Sequence, residues 1–415
     1  MESNGHSLQA RETADAVARR SYGKLVAYLA ARTRDVDAAE DALAEAFATA
    51  LADWPHKGCP DNPEAWLLTV ARRKFLDTVR NRRREDTSDD IESMADSLAA
   101  AVSESDFPDQ RLGLMFACAH PAIENVIRAP LMLQAVLGLD AARIASAFLL
   151  SPATMSQRLV RAKQKIRVAR IPLRIPEREE LHERLATVLD AIYAAFSEGW
   201  IDASGTDVAR RDLAEEAIYL CRLVTELLPA EPESMGLLAL MLYAESRRRA
   251  RRDADGQYVA FIQQRLEEWN MGMIEEAERL LLRAAQQKTV GRYQLEGAIQ
   301  SAHVERRRSG RANWAQIVEL YDALLICAPS PVVAINRALA IAERDGPQSG
   351  LAALEAISGD ARLTEYQPWW AARADLCART GNLEVARHAY DIAIGLEKDE
   401  SVRRFLERRR ALVAL

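Results

Sequence analysis

Apolar residues recur at the spacing of an α-helix along nearly the whole of this 415-residue chain. The alternation of apolar and polar residues that half-buried strands require is almost absent, whereas Ala, Leu, Arg and Glu are abundant in the periodic segments. The sequence therefore predicts an all-α fold. Because a chain of this length exceeds a single compact core, we expect two to four helical domains.

The composition restricts the class of protein. Hydrophobic residues make up 49% of the chain and charged residues 28%, which is typical of globular proteins rather than of disordered or fibrous ones. No apolar run approaches the roughly 18 residues that cross a bilayer, and the N-terminal segment lacks the apolar core of a signal peptide. We therefore expect a cytoplasmic protein that has no membrane partner.

Motifs that carry chemistry are missing from the sequence. It contains no glycine-rich phosphate loop, no HExxH zinc motif and no nucleophile elbow, so we do not expect an enzyme. The five cysteines are scattered without a CxxC pair, which argues against disulfides and a zinc knuckle. Cys118 and His120 lack a second pair of ligands, and packing is the favoured interpretation of both. We expect neither a cofactor nor a metal.

Charge is strongly segregated along the chain, although the net charge is only −6. Residues 13–84 form a helical block that ends in a basic run. Residues 85–109 contain nine acidic and no basic residues and predict a flexible linker. A second block, 110–170, precedes a connector with two prolines, and residues 177–415 form a third, larger helical region.

The second block contains the pattern of a helix-turn-helix, from Leu139 to Arg170. Apolar residues fall on one face of each of two short helices, at Ile144, Ala145 and Phe148 in the first and at Met155, Leu159, Ala162 and Ile166 in the second. Ser151 followed by Pro152 is typical of a helix start. Between residues 153 and 176 there are seven basic and no acidic residues, which suits a helix that lies against DNA phosphates. The alternative is a solvated helical hairpin.

The first block predicts an acidic helix followed by a basic one. The acidic face carries Asp37, Glu40, Asp41 and Glu45, with Ala42, Ala46 and Ala50 packed behind it and Phe47 as an apolar anchor. Pro55, Gly58, Pro60 and Pro63 then predict a break in the helical structure. The next helix turns Trp66, Leu67, Val70 and Leu76 inward and Arg72, Arg73, Lys74, Arg80 and Arg82 outward. A solvated acidic face is the alternative for the first of these helices.

The third region shows weak internal repetition. A shift of 35 residues superposes Gly346 on Gly381, and Leu351, Leu354 and Ile357 then fall on Ala386, Ala389 and Ile392. This period is near the roughly 34 residues of a tetratricopeptide unit. The pattern favours a tetratricopeptide-like (TPR-like) scaffold, with a plain helical bundle as the alternative.

Several segments resemble one known family. AAEDALAEAFATAL and NPEAWLLTVARRKFLDTVRNRRR resemble regions 2.2 to 2.4 of an extracytoplasmic-function (ECF) sigma factor of the sigma-70 family, and SPATMSQRLVRAKQKI resembles its region-4 recognition helix. By this resemblance, 13–84 is a region-2 domain and 110–170 a region-4 domain. LMFACAHPAI, the RIPLRIP connector and the C-terminal region resemble the subgroup that carries a TPR-like extension. Where that subgroup has a DQDRxxWD-like stretch, this chain reads IQQRLEEWN, from Ile262 to Asn270.

The resemblance implies roles for individual residues. Asp41 and Glu45, around Phe47, would bind the clamp helices of the largest catalytic subunit of RNA polymerase. The loop from His56 to Asn62 would capture a flipped base of the minus-ten promoter element. The region-2 residues implied to bind promoter DNA are His56, Lys57, Asn62, Trp66, Arg72, Arg73, Lys74, Arg80 and Arg82. In region 4, the minus-thirty-five element would meet Thr154, Ser156, Gln157, Val160 and Arg161, while Arg158 and Lys163 would bind its backbone.

The sequence therefore predicts a sigma factor that binds core RNA polymerase and promoter DNA and performs no covalent chemistry. The C-terminal extension is expected to regulate this activity in cis and to bind a regulatory protein. The alternative from another class is a DNA-binding interaction scaffold, in which the TPR-like repeats bind a partner protein and the DNA-binding part only localises it.

Overall fold

The computed structural model describes residues 10–11, 13–18, 21–22, 25–26, 28–30, 36–83, 109–148, 150–169, 171, 176–200 and 208–413. Contacts divide the chain into two compact units, Met1–Glu198 and Gly199–Leu415. Every regular element within the described ranges is a helix, and an isolated β-bridge joins Arg252 to Tyr258. The predicted all-α fold is confirmed. None of the described helices is both long and apolar enough to cross a bilayer. Apart from Asp109, the predicted acidic linker lies outside the described residues.

From Val36 on, the described residues of the first unit form seven helices. These are α1 (Val36–Lys57), α2 (Pro63–Arg83), α3 (Gln110–Cys118), α4 (Asn125–Ala135), α5 (Ala141–Ala147), α6 (Pro152–Val168) and α7 (Leu181–Trp200), the last preceded by a 3-10 turn at Arg178–Glu180. Leu43 and Trp54 of α1 and Leu67 of α2 are buried where the two helices pack. At the start of α7, the buried Arg184 donates to the backbone carbonyl of Phe116 at 3.1 Å, which fastens α7 to α3.

Helix α1 continues through Pro55 and ends at Lys57, so the predicted break at Pro55 is wrong. Pro55 loses one backbone hydrogen bond and crowds the carbonyl four residues earlier, yet the helix continues for two residues beyond it. The helix ends where Gly58 takes a φ of +82°, a conformation that glycine adopts without strain, and donates its N–H to the carbonyl of Trp54 at 2.9 Å. His56 therefore lies in the last helical turn, and the loop between the helices is residues 58–62.

Helices α5 and α6 lie where the sequence predicts two short helices, and their assignment as a DNA-binding helix-turn-helix stays a prediction. The carboxylate of Asp140 accepts from two N–H groups at the start of α5, and the hydroxyl of Ser151 accepts from the N–H of Thr154 at the start of α6. Such caps satisfy donors that have no partner within the helix. Of the predicted apolar stripes, Ile144, Ala145, Met155, Leu159 and Ala162 are buried, and Phe148 and Ile166 are half-buried. The buried seam between the helices fixes which face of α6 remains outside.

The second unit is a succession of helices over residues 208–413. They are α8 (Val208–Leu227), α9 (Pro232–Ser246), α10 (Met271–Ala285), α11 (Arg292–Val304), α12 (Arg306–Ser309), α13 (Trp314–Cys327), α14 (Pro331–Asp345), α15 (Pro347–Glu355), α16 (Gln367–Arg379), α17 (Leu383–Leu396) and α18 (Glu400–Val413). Four 3-10 turns lie at Arg249–Arg251, Phe261–Gln263, Leu266–Glu268 and Ala361–Leu363. Helix α9 is its central element, because nearly every residue of α9 is buried.

Helix α11 begins unusually close to α9. A Cβ atom on Gly236 would lie 2.5 Å from the backbone nitrogen of Gln294, a separation that real Cβ atoms do not show. The carboxylate of Glu233 accepts from the N–H groups of Tyr293 and Gln294, at 3.0 and 3.1 Å. Glu233 thus satisfies donors at the start of α11 from another helix, and the glycine provides the space for it.

The internal repetition corresponds to two helical hairpins, α14–α15 and α16–α17. Each hairpin turns at a glycine with positive φ, Gly346 at +97° and Gly381 at +81°. The superposed apolar positions Leu354 and Ala389 are both fully buried in their hydrophobic clusters. The assignment of the region to TPR-like repeats stays a prediction, as do the predicted domain boundaries.

Candidate nucleic-acid interface

The outer face of α6 carries most of the residues expected to meet the minus-thirty-five element. Ser156, Gln157, Arg158, Val160 and Arg161 are exposed, and Thr154 is half-buried, with its hydroxyl 2.8 Å from that of Ser151. Because α6 begins with a capped turn and buries its opposite stripe, these side chains are presented together on a rigid helix. The arrangement is that of a helix able to enter the major groove.

A groove lies beside this face, between α6 and α4. Its volume is about 390 Å³, and Arg158, Arg161, Ile123 and Val126 are among the residues that line it. Lys165, which also lines the groove, pairs at 3.2 Å with Glu124, the residue that precedes α4. The guanidinium groups of Arg158 and Arg161 thus flank a concave surface that combines cations with apolar side chains.

Lys163 is in a different environment from its neighbours on α6. Its ammonium group donates to Oε2 of Glu40, on α1, at 2.7 Å, and only 16% of the lysine side chain and 20% of the glutamate side chain are exposed. This ion pair joins the predicted recognition helix to the predicted acidic face, 123 residues earlier in the chain. In this conformation the contact with Glu40 occupies Lys163, which the sequence assigns to the DNA backbone.

Gly138 provides a second contact between the same two parts of the first unit. It has a φ of +66°, and a Cβ there would lie 3.2 Å from the ring of Tyr22. Burial raises the pKa of the Tyr22 phenol, as does the nearby carboxylate of Glu40. No local pattern in the sequence indicates these contacts, because they join residues that lie far apart in the chain: Tyr22, Glu40, Gly138 and Lys163.

The acidic face of α1 presents Asp41 and Glu45 to solvent. Phe47 is half-buried, and its ring stacks on Tyr22 at a centroid distance of 6.4 Å. Glu45 also pairs with Lys74 of α2 at 3.5 Å. The side chain of Asp37 lies outside the described residues. The exposed carboxylates are therefore beside an aromatic pair, which is the combination expected of a charged docking surface with an apolar anchor.

Helix α2 presents Arg72 and Arg73 to solvent and leaves Lys74 half-buried. The side chains of Arg80 and Arg82 lie outside the described residues. The ring of Trp66 is half-buried and meets Trp54 edge to face at 5.4 Å. Leu67 is buried and Val70 half-buried, but the expectation that Leu76 points inward is wrong, because 38% of it is exposed. This face of α2 therefore exposes an apolar side chain, Leu76, beside its arginines.

The loop 58–62 borders a cavity of about 570 Å³. The cavity is lined by Asp61, Asn62, Pro63 and Glu64 on one side and by Thr13, Ala16 and Val17 on the other. Oδ1 of Asn62 accepts from the N–H of Ala65 at 3.1 Å, so this residue caps α2. His56 and Lys57 are exposed, and Lys57 pairs with Asp53 at 2.7 Å.

Cys118 and His120 are in settings typical of packing residues. Cys118 is fully buried, and burial raises the pKa of its thiol to about 12, which keeps the sulfur protonated. Nδ1 of His120 accepts from the N–H of Ala122 at 3.1 Å. Within the described parts of the chain, no group of three or more side chains is arranged to hold a metal ion.

Comparison with known proteins places these features in context. Residues 17–85 match sigma-70 region 2, and residues 184–285 match a family of unknown function (DUF6596). An uncharacterized protein of Rhizobium meliloti (strain 1021) is 39% identical over 374 residues, which cover 89% of this chain and 88% of that protein. No solved structure matches the chain. The chain belongs to the same family as the rhizobial protein, and its region 2 makes it a member of the sigma-70 family.

Proposed function

We propose that the chain is an ECF sigma factor, a non-enzymatic promoter-specificity subunit of RNA polymerase. The observation that carries the proposal is the order of two elements, a sigma-70 region 2 at residues 17–85 followed by a capped helix-turn-helix whose second helix exposes a polar and basic row. One chain would thereby contact two neighbouring segments of a promoter. The TPR-like extension would regulate this activity.

The minus-thirty-five element would be read by α6. Its exposed Ser156 and Gln157 are adjacent, and Arg161 lies about one turn further along, all in the N-terminal part of the helix, where helix-turn-helix proteins meet base edges. A guanidinium such as that of Arg161 can donate two hydrogen bonds to guanine. Exposed Val160 supplies apolar contact, for example to a thymine methyl group. Arg158 would bind phosphate and set the position of the helix.

The minus-ten element would be opened by α2 and the preceding loop. A flipped base needs a pocket that replaces its stacking and pairing contacts, and the cavity beside Asn62 is large enough to take one. The exposed Arg72 and Arg73 would hold phosphates near that pocket, with contacts that carry no sequence information. Promoter opening then follows from binding one strand, without any covalent step.

Polymerase would bind the exposed carboxylates of α1. Asp41 and Glu45 offer negative charge to a cationic partner surface, and the half-buried Phe47 beside them offers apolar area. Complementary charge speeds association and fixes its orientation. Glu40, on the same helix, is already bonded to Lys163, so the polymerase contact falls on the outer carboxylates first.

The test is transcription with purified components. The chain is added to core polymerase with genomic DNA fragments, and transcript starts are mapped against reactions that contain core polymerase alone or core polymerase with a known sigma factor. We expect new transcript starts whose upstream DNA shares two sequence elements. The distance between these elements should match the distance between the two DNA-binding parts of the chain. If the chain binds DNA and core polymerase gains no new starts while the known sigma factor does direct them, the scaffold function replaces the proposal.

The role of the extension is tested by truncation after Trp200. Truncation at the predicted connector would remove Arg184, which bonds to Phe116 within the first unit, so the later cut keeps the first unit intact. Increased transcription in the truncated chain means that the extension inhibits, and decreased transcription means that it activates. Unchanged transcription, in a truncated chain that melts cooperatively, would contradict regulation in cis.

A further inference from the structure

An aromatic and cationic cluster lies in the second unit, where α9, α11 and α13 meet the segment 261–269. The ring of Phe261 stacks on Trp269 at 5.9 Å and meets His303 edge to face at 5.1 Å, and His303 in turn meets Trp314 at 5.6 Å. The guanidinium carbons of Arg247 and Arg306 lie 4.7 and 5.4 Å from the centre of the Phe261 ring. Two cations thus share one aromatic ring.

The positive charge of this cluster is not neutralised by neighbouring carboxylates. Among the residues that the structure describes, Arg247 bonds to the carbonyl of Tyr243 and to Oε1 of Gln300, and Arg306 bonds to the carbonyls of Ile262 and Phe261. None of these acceptors is charged. The nearby Glu267 and Glu268 both pair with Arg265. Within the described part of the chain, neither guanidinium group is bonded to a carboxylate.

The pKa values of Arg247 and His303 reflect the same excess of positive charge. Burial lowers the pKa of Arg247 to about 10, assisted by the charge of Arg251. Burial also lowers the pKa of His303 to about 4, and the charges of Arg247 and Arg306 lower it further in the same direction. His303 is therefore neutral at pH 7. An anion would relieve the repulsion that these groups share.

An open cavity of about 580 Å³ adjoins this cluster. Arg306 and Arg311 line it, together with the apolar side chains of Ile262, Leu266 and Trp314. Ile262 is 61% exposed at its rim. The cavity therefore offers two cations on one part of its lining and an apolar surface on the rest, a combination found in sites for small organic ligands.

Gln264 supplies the most specific feature of the cavity. Its side chain is only 7% exposed, its Nε2 lies 3.5 Å from the carbonyl of Val259, and its Oε1 is buried without a hydrogen-bond partner. A buried acceptor of this kind costs free energy until a donor reaches it. Gln264 lines the cavity, although its Oε1 is shielded from it in this conformation. A ligand carrying a hydroxyl or amide N–H can therefore provide the donor once the amide group of Gln264 rotates toward the cavity.

We propose that this cavity binds a small aromatic carboxylate that bears a hydroxyl group. The carboxylate would pair with Arg306 and Arg311, since a guanidinium matches a carboxylate by two parallel hydrogen bonds. The ring would pack on Trp314, Ile262 and Leu266, and the hydroxyl would donate to Oε1 of Gln264 after rotation of the amide group. The site lies within the second unit and is independent of the proposed sigma function. If the sigma function also holds, binding of the ligand at this site can regulate transcription through the extension.

The test is isothermal titration of the full chain with 4-hydroxybenzoate. We expect saturable binding with a dissociation constant of about 1 mM or below, the range for a ligand of this size. Three related compounds separate the contributions. Benzoate, without the donor, should bind about 3- to 10-fold more weakly, and 4-hydroxybenzamide, without the charge, and acetate, without the ring, should each bind at least about tenfold more weakly.

Variants locate the site. Arg306→Gln and Arg311→Gln should each weaken binding of 4-hydroxybenzoate by about tenfold or more, whereas Arg283→Gln, which removes an exposed cation from α10, should leave it unchanged. Arg311 is exposed, so its replacement tests the site even if Arg306→Gln fails to fold, as judged by thermal melting. The proposal is overturned by absence of saturable binding up to about 10 mM, by equal binding of the neutral amide, or by equal losses in the Arg283 and Arg311 variants. Because the readout is binding, none of these results depends on transcription.

Discussion

The ion pair between Glu40 and Lys163 predicts that removal of a negative charge on α1 will strengthen DNA binding by α6. The ammonium and carboxylate groups are 2.7 Å apart and about four-fifths buried. A hydrogen bond between charged groups contributes about 1.5 to 3 kcal/mol. At the lower end of this range, Glu40→Gln removes a competitor that holds Lys163, and affinity for DNA should rise by about tenfold.

The measurement is fluorescence anisotropy of a labelled, mixed-sequence duplex at salt concentrations from about 50 to 200 mM. Because a phosphate contact is independent of sequence, no promoter is needed. If Lys163, without its bond to Glu40, binds one phosphate, the slope of log affinity against log salt should become steeper by about 0.9. Lys163→Met breaks the same ion pair but removes the cation, so its slope should not steepen.

Asp41→Asn is the matched control, since Asp41 is an exposed carboxylate on the same helix. It changes the net charge as Glu40→Gln does but breaks no contact with Lys163. If Asp41→Asn steepens the slope as much as Glu40→Gln, the effect is one of overall charge. If Glu40→Gln leaves both affinity and slope at their original values, the ion pair does not restrain Lys163 and the reasoning fails.

Three further changes test other parts of the structure. Arg161→Ala should weaken binding to cognate promoters by about 1 to 3 kcal/mol and relax the preference at one base position, as measured by selection from a randomised minus-thirty-five element; unchanged selectivity would exclude Arg161 from base recognition. Gly236→Ala should lower the free energy of unfolding by about 1 to 3 kcal/mol, because the added Cβ would collide with the start of α11. Gly359→Ala, at a position with open space around it, should leave the stability unchanged. Thermal melting of the two variants compares these effects. Folding lowers the pKa of His303 from 6.5 to about 4. Between these pH values the unfolded chain binds a proton that the folded chain does not, so the free energy of unfolding should decrease as pH falls from about 6.5 to 4. His303→Phe should flatten this pH dependence in denaturant titrations, and an unaltered profile would assign it to other groups.

The sequence predicted the helices and their boundaries well where local signals determine them. Ser151 and Asp140 cap helices in the described structure because a short polar side chain before a periodic apolar run satisfies free N–H groups locally. The predicted end of α1 is too early, because Pro55 weakens the last turn without ending it. Gly58, with its positive φ, ends the helix instead.

Contacts between distant segments could not be predicted. Glu40 was placed on an acidic face and Lys163 on a basic one, and nothing in either local pattern indicates that they bond. The cluster around Phe261 was also missed, since Arg247, His303 and Trp314 come from separate elements and are brought together only by the packing of α9, α11 and α13. Ile262, Gln264, Leu266 and Trp269 lie in the stretch 262–270, which the sequence does distinguish.

The bond between Glu40 and Lys163 also has a thermodynamic consequence. If polymerase docking draws Glu40 away from α6, Lys163 no longer has to break this bond in order to bind DNA, and the affinity for DNA rises. By linkage, bound DNA must then raise the affinity for polymerase by the same factor. Such reciprocity follows from any contact that both events disrupt, and the ion pair of Glu40 and Lys163 is one such contact. Cooperative assembly on a promoter can therefore begin with a bond between two side chains.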